Sequence, residues 1–134
     1  EDESQRIGDV NMPSSFYKQM RDSQLYFLDV PFVFRLESII EEYGRYSQEQ
    51  FINAIVRIQK RLGPLETKTC IQFLLDGELK SCFNILLKYY DKQYEKGLHK
   101  RASLDDILHK IPCENISAAN NCIHLLNKEN ERIG

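Results

Sequence analysis

The chain contains no apolar run approaching the ~18 residues that suggest a membrane span, and no basic-then-apolar leader opens it. A membrane anchor and a secretory signal are therefore not expected. It also lacks a G-x-x-x-x-G-K-[ST] phosphate loop and a G-x-G-x-x-G fingerprint, so no backbone-amide cradle for a nucleotide can be named. Its four cysteines, Cys70, Cys82, Cys113 and Cys122, include no CxxC or CxxH pair, and tetrahedral zinc spacing is missing. They read as reduced, mostly buried thiols of a cytoplasmic protein. His99, His109 and His124 are scattered among different elements without a motif partner, and no Ser/His/Asp or Cys/His constellation has local context. No catalytic residue and no metal ligand set is expected in these residues.

What is present is the composition of an ordinary globular domain. The 134 residues are 42% hydrophobic and 28% charged, and a length near 150 buries roughly 68–70% of the unfolded surface. The first residue is Glu1 rather than Met, which fits a piece of a longer protein. The net charge of −2 hides a gradient: residues 1–44 carry net −5, residues 45–101 net +5 and residues 102–134 net −2. A basic middle between acidic flanks suits a face turned toward an anion, although a solvated Lys-rich helix gives the same count.

The periodicities predict an α/β chain rich in helix. Phe16, Tyr17 and Met20 suit a short helix after Pro13, and Leu25–Val30 is a continuous apolar run of the kind that forms a buried parallel strand. Pro31 then starts a helix burying Phe32, Leu36, Ile39, Ile40 and Tyr43, which Gly44 ends. Ser47 with Gln50 makes a capping box before the stripe Phe51, Ile55, Ile58, Leu62, and Gly63-Pro64 closes that helix. A second helix from Glu66 to Leu75 places Thr69, Cys70, Phe73 and Leu74 inward. A third, from Leu79 to Glu95, buries Phe83, Leu86, Leu87, Tyr90 and Tyr94 and stops at Gly97. Short connections make these three a small bundle. Ile107–Ile111 is a second strand, and Ser117 caps a helix with an inward stripe at Ala119, Cys122, Ile123 and Leu126 before a fraying end from Asn127. Two strands do not make a stable sheet, so further strands are expected upstream, and an open sheet edge invites non-native pairing with another copy.

Three features bear on chemistry. Glu1-Asp2-Glu3-Ser4 is an acidic block suited to the end of a strand, where carboxylates hold magnesium-bound water beside a nucleotide. Arg57, Lys60 and Arg61 share one helical face opposite the apolar stripe, and Lys68 can join them across the Gly63-Pro64 bend. Their mutual repulsion, a few tenths of a kcal/mol per pair, is relieved by a phosphate backbone. Lys88, Lys92 and Lys96 recur at i, i+4, i+8 beside three tyrosines, of which Tyr89 reads as the ring freest to meet a base and Tyr90 and Tyr94 as core.

Glu1–Gly8, Leu28-Asp29-Val30-Pro31 with Arg35, Arg57–Gly63 and Tyr89–Tyr94 together, in this order and spacing, resemble the later part of the tRNA 2-selenouridine synthases over roughly residues 1–101. Residues 102–134 fit that pattern loosely. The resemblance implies a rhodanese-like domain joined to a P-loop domain. The implied reaction replaces sulfur by selenium in the wobble 2-thiouridine of tRNA, from selenophosphate by way of a geranylated intermediate that requires geranyl diphosphate. The family's nucleophilic cysteine and phosphate loop would both precede Glu1, so no cysteine here inherits the nucleophile's role.

Carried onto this sequence, the resemblance makes the chain the C-terminal half of a P-loop NTPase-like domain with an inserted three-helix bundle. Residues 1–46 would be the P-loop-domain segment, residues 47–101 a helical lid, and residues 102–134 the last strand and helix. Glu1, Asp2, Glu3, Ser4 and Arg6 would lie nearest a bound phosphate or nucleotide, with Mg2+ in the parent enzyme. Arg57, Lys60, Arg61, Lys68, Lys88, Tyr89 and Lys92 would be the residues that face tRNA. Two other readings stand beside it: a kinase-like or ATPase fragment with a helical lid, and a non-catalytic helical interaction module.

Overall fold

A computed structural model describes residues 5–134. The chain falls into two compact units, one made of the segments up to Asp29, Gln93–Cys113 and Ser117–Gly134, the other of Val30–Lys92 with Glu114–Ile116. These units do not follow the segments 1–46, 47–101 and 102–134. The helix after Pro31 joins the helical unit, and the end of the longest helix belongs to the other.

The first unit opens with a two-residue antiparallel hairpin, β1 (Arg6–Ile7) with β2 (Val10–Asn11), turned by Gly8 at φ +58°. Helix α1 (Ser14–Asp22) follows. The expected strand is present as β3 (Leu25–Asp29), and it pairs in parallel with β4 (Leu108–Pro112), Leu25 opposite Leu108 and Asp29 opposite Pro112. Cys113 N–H extends the ladder to the Asp29 carbonyl at 3.1 Å. Parallel neighbours need a crossover, and here residues 30–107 supply it. The second strand starts one residue later than expected because Leu104–Ile107 forms a single helical turn, α6. The guanidinium of the buried Arg101 donates to the carbonyls of Met20 and Arg21, at 3.4 and 3.0 Å, and satisfies the end of α1.

The second unit holds α2 (Phe32–Tyr43), α3 (Gln48–Leu62), α4 (Pro64–Leu75) and the first part of α5 (Leu79–Leu98). The capping box is formed: Gln50 N–H donates to Ser47 Oγ at 3.3 Å, and Ser47 N–H to Gln50 Oε1 at 2.9 Å. The predicted stripe of α3 meets α4 and α5 in one core of Ile55, Leu62, Cys70, Leu74 and Cys82, flanked by Phe51 and Ile58. A second core joins Leu36 of α2 to Phe83 and Leu87 of α5, and Phe51 meets Phe83 edge-on at 5.3 Å.

Six local expectations change. Tyr43 of α2, expected inside, is 42% exposed. The inward threonine of α4 is Thr67, not Thr69, because Thr67 shares the face of the buried Cys70 and Leu74 at i, i+3, i+7; its N–H and Oγ1 both donate to the Gly63 carbonyl, at 3.0 and 2.6 Å. Helix α5 runs through Gly97, which has no positive φ, and ends at Leu98. Tyr90 and Tyr94 are 46% and 50% exposed, since the apolar stripe of α5 continues beyond Leu87, its last buried residue. The last helix, α7 (Ala118–Ile133), does not fray at Asn127: Lys128–Glu131 and Glu129–Arg132 pairs at i, i+3 hold its final turns. Its stripe is also inverted. Ala119, Cys122, Ile123 and Leu126 are exposed while Asn121 is buried, and Arg132 donates to the hydroxyl of Tyr26 in β3 at 3.1 Å.

Candidate nucleic-acid interface

The cationic residues of the helical unit are positioned by two devices. The first is the corner between α3 and α4, which has no connecting loop. Gly63 serves as the last cap of one helix and the first cap of the next, at φ +101° and ψ 154°, and Pro64 occupies the first turn of α4. Only glycine takes that φ without strain, and a Cβ placed there would stand 2.9 Å from Glu66 Oε2. The corner brings the last turn of α3 beside the first two turns of α4.

Between them lies an open groove of about 720 Å³. Lys60 and Gln59 form one wall, Lys68 and Gln72 the other, and Pro64 and Ile71 contribute apolar surface. No carboxylate lines it. The one acid of the first turn of α4, Glu66, reaches back toward Gly63 and is not among the lining residues. The structure thus brings Lys60 and Lys68 together as the charge pattern suggested. Arg57 and Arg61 are exposed on α3 but do not line the groove.

The second device fixes the start of α2 against α5. Arg35 places Nη1 and Nη2 on the two oxygens of Asp91 at 2.7 and 3.0 Å, donates from Nε to the Val30 carbonyl at 3.0 Å, and stacks over Phe32. Such a two-pronged fork is one that lysine cannot copy. Lys88 Nζ lies 5.9 Å from the Phe32 ring centroid, within cation–π range, and Lys92 is exposed one turn further on. Asp91 was not singled out from the sequence as Arg35's partner; an acid 56 residues away gives no local signal.

Other expected site residues are placed differently. Glu1, Asp2, Glu3 and Ser4 lie outside the described residues. Arg6 is used by its own hairpin turn, donating to the Gly8 carbonyl at 3.0 Å and to Asp9 at 3.1 Å. Tyr89 is not the freest ring: it packs against the Ile55–Cys82 core and meets Tyr90 at 5.1 Å. Gln59 and Gln72 were missed. They flank the lysines at i−1 and i+4, spacings that carry meaning only once the corner is known.

The thiols sit apart from this surface. Cys70 and Cys82 are buried together between α4 and α5, where burial pushes the Cys82 thiol up to about 12 and raises Cys70 as well. Burial, with Asp29 close by, also raises Cys113, while Cys122 is exposed. Among the described residues no group of three or more His, Cys, Asp or Glu side chains converges to hold a metal ion, and no helix is long and apolar enough to cross a membrane.

A tRNA 2-selenouridine synthase of Shewanella oneidensis is 29% identical over 131 aligned positions, covering 76% of this chain and 35% of that one. Those of Nitrosomonas europaea and Nitrosomonas eutropha are 29% and 33% identical over 84 and 75 residues, covering 63% and 56% of this chain and 21% and 19% of theirs. The chain thus spans between about a fifth and a third of the length of these curated relatives. No solved structure matches it significantly. The tRNA 2-selenouridine synthase AAA domain matches residues 1–121, reaching α7 and so extending past the 1–101 stretch over which the residue blocks carried the likeness. With nine-tenths of its length matched, this helix-rich α/β chain belongs to the family of tRNA 2-selenouridine synthase AAA domains.

Proposed function

We propose that the chain is a portion of a cytoplasmic tRNA-modifying transferase that exchanges sulfur for selenium in wobble 2-thiouridine, drawing on selenophosphate and passing through a geranylated intermediate. Family membership over residues 1–121 supports the chemistry, and the acid-free groove holding Lys60 and Lys68 supports a tRNA-facing role for this segment. In this reading the nucleophilic cysteine and the phosphate loop belong to other parts of the enzyme. The four cysteines here remain structural, in keeping with the raised thiols of Cys70, Cys82 and Cys113. Any Mg2+ of the parent enzyme would draw on Glu1, Asp2 and Glu3, outside the described residues.

The segment serves as the C-terminal half of a P-loop domain with an inserted helical bundle. Supporting this, β3 and β4 are adjacent parallel strands whose crossover contains helices α2 to α5. A two-stranded sheet falls short of the three or more strands that independent stability requires. Preceding residues of the enzyme supply the further strands in this reading, and without them the open edge favours non-native self-association.

The test is binding of a 2-thiouridine-bearing tRNA at 50 and 200 mM salt. The expected result is an affinity that falls steeply between the two, as counterion release by several phosphate contacts demands. Absence of binding at 50 mM salt overturns the tRNA-facing role.

A further inference from the structure

The groove between α3 and α4 has a composition that selects one part of a nucleic acid. Its two charged wall residues are both lysines, from separate helices, and Glu66, the acid nearest the corner, does not line it. Thr67, although part of the lining, has its hydroxyl committed to the Gly63 carbonyl at 2.6 Å, and Gln72 donates to Asp76 at 2.9 Å. That leaves the two ammonium groups and the Gln59 carboxamide as its main donors. No aromatic ring lines it, so nothing there can stack a base. Lysine ammoniums act as point charges for phosphate and do not provide the planar fork that reads a base edge.

We propose that this groove seats the sugar-phosphate backbone of the RNA, with Lys60 and Lys68 contacting phosphates from opposite walls and Gln59 donating to the same strand. This rests on the tRNA-facing role proposed above and adds which of the cations carry it. Two ammoniums lining one groove repel until an anion joins them, and the volume falls within the ~300–1,000 Å³ of ligand clefts. The Gly63-Pro64 corner sets the spacing of the walls, so the site is a product of the bend rather than of either helix. Backbone contacts position without specifying, and the groove therefore contributes affinity that is independent of RNA sequence.

The experiment measures tRNA affinity against salt for the wild-type chain, Lys60→Ala, Lys68→Ala, the double variant, Gln59→Ala, and the pair Arg57→Ala and Arg61→Ala as cations outside the groove. All these side chains are exposed, and unchanged far-UV circular dichroism checks each fold. Each groove lysine removed should lower the magnitude of the log–log salt slope by about one, the double variant by about two, equally for unrelated tRNAs. Gln59→Ala should weaken binding with the slope unchanged, and the two arginine variants should move the slope less than the lysines. If the wild type binds but its slope survives loss of both lysines, the groove is overturned and the tRNA role stands. If micromolar pyrophosphate displaces the tRNA, the groove is a small-anion site and the proposal is likewise overturned. If the wild type does not bind, the tRNA role itself fails and takes the groove with it.

Discussion

Two glycines make opposite predictions about the same substitution. Gly63 holds φ at +101° at the α3–α4 corner, whereas Gly97 lies within α5 with no heavy atom within 4 Å of where a Cβ would stand. Gly63→Ala places a Cβ in the left-handed half of conformational space, at about 1–3 kcal/mol of backbone strain. Alanine also restricts the unfolded chain, which offsets about 0.4–1 kcal/mol. The Cβ contact at 2.9 Å is with the end of the Glu66 side chain, which can swing aside, so steric conflict adds little. The net expectation is a loss of about 1–2 kcal/mol. Gly97→Ala meets open space in a helical conformation, and glycine in a helix interior is worth roughly 0.5–1 kcal/mol less than alanine, so the chain should gain about that much. Urea unfolding followed by circular dichroism separates the two: with a slope of about 1–3 kcal/mol per molar, the midpoints move apart by about 1 M. A destabilised Gly97→Ala would mean that α5 does end at this glycine, as its sequence position suggested. A neutral Gly63→Ala would mean that the corner does not hold its positive φ, and the groove geometry would lose its basis.

Ser47→Ala removes the Oγ half of the capping box of α3, leaving the backbone N–H of residue 47 to donate to Gln50, and should lower stability by about 1 kcal/mol, read as a shift of the urea midpoint, while Ser47→Asp retains most of it. Arg35→Lys keeps the charge but not the fork on Asp91, and should lose nearly as much stability as Arg35→Ala, roughly 1 kcal/mol for a pair whose side chains are about one-third exposed; full rescue by lysine would refute a bidentate role. A thiol reagent at pH 8 should modify Cys122 alone in the native chain and all four cysteines in urea. The folded Cys82 thiol holds its proton to about 12 whereas the unfolded one releases it near its ordinary 9.0, so the native state binds more protons in that window. Stability should therefore be unaffected by this group below pH 9 and fall as pH rises from 9 toward 12, and a Cys82→Ala variant should show a shallower alkaline decline.

The helical unit was legible because its determinants are local. The capping box of Ser47 and Gln50, the four-residue stripe from Phe51 to Leu62, and the Gly63-Pro64 stop each act within a few residues, and all three appear where the periodicity put them. Gly97 misled because a glycine ends a helix only when it adopts a left-handed φ, and spacing alone cannot tell that from a glycine the helix passes through. Tyr89 and Tyr90 exchanged roles for a related reason: adjacent residues lie about 100° apart on a helix, and which ring is buried depends on where the neighbouring helices stop. For the candidate site, the cations were visible as charge and spacing. Their division was not, because Lys60 and Lys68 meet across a bend while Arg57 and Arg61, closer in sequence to Lys60, line no part of the groove.

The unit containing the sheet departed most from expectation, and its departures share a physical origin. A parallel sheet ordinarily has both faces covered, and its strands are apolar for that reason. Here Leu25, Tyr26, Phe27 and Leu28 form such a run, yet Leu28 is 41% exposed, and Ile111 is the buried residue of β4. The nearby helix α7 meets the same sheet through polar groups: Arg132 reaches the Tyr26 hydroxyl and is held by Glu129, whose carboxyl Arg132 in turn keeps below the usual carboxylate range. Its apolar stripe faces outward, with Ile123 and Leu126 more than half exposed. An apolar strand with exposed faces and an amphipathic helix turned inside out are the same shortage seen twice, since both have more apolar surface than this unit can cover. The sequence pattern registered the demand for that cover correctly. Two strands were expected to need further strands for the same reason, and the relatives are about three times as long as this chain.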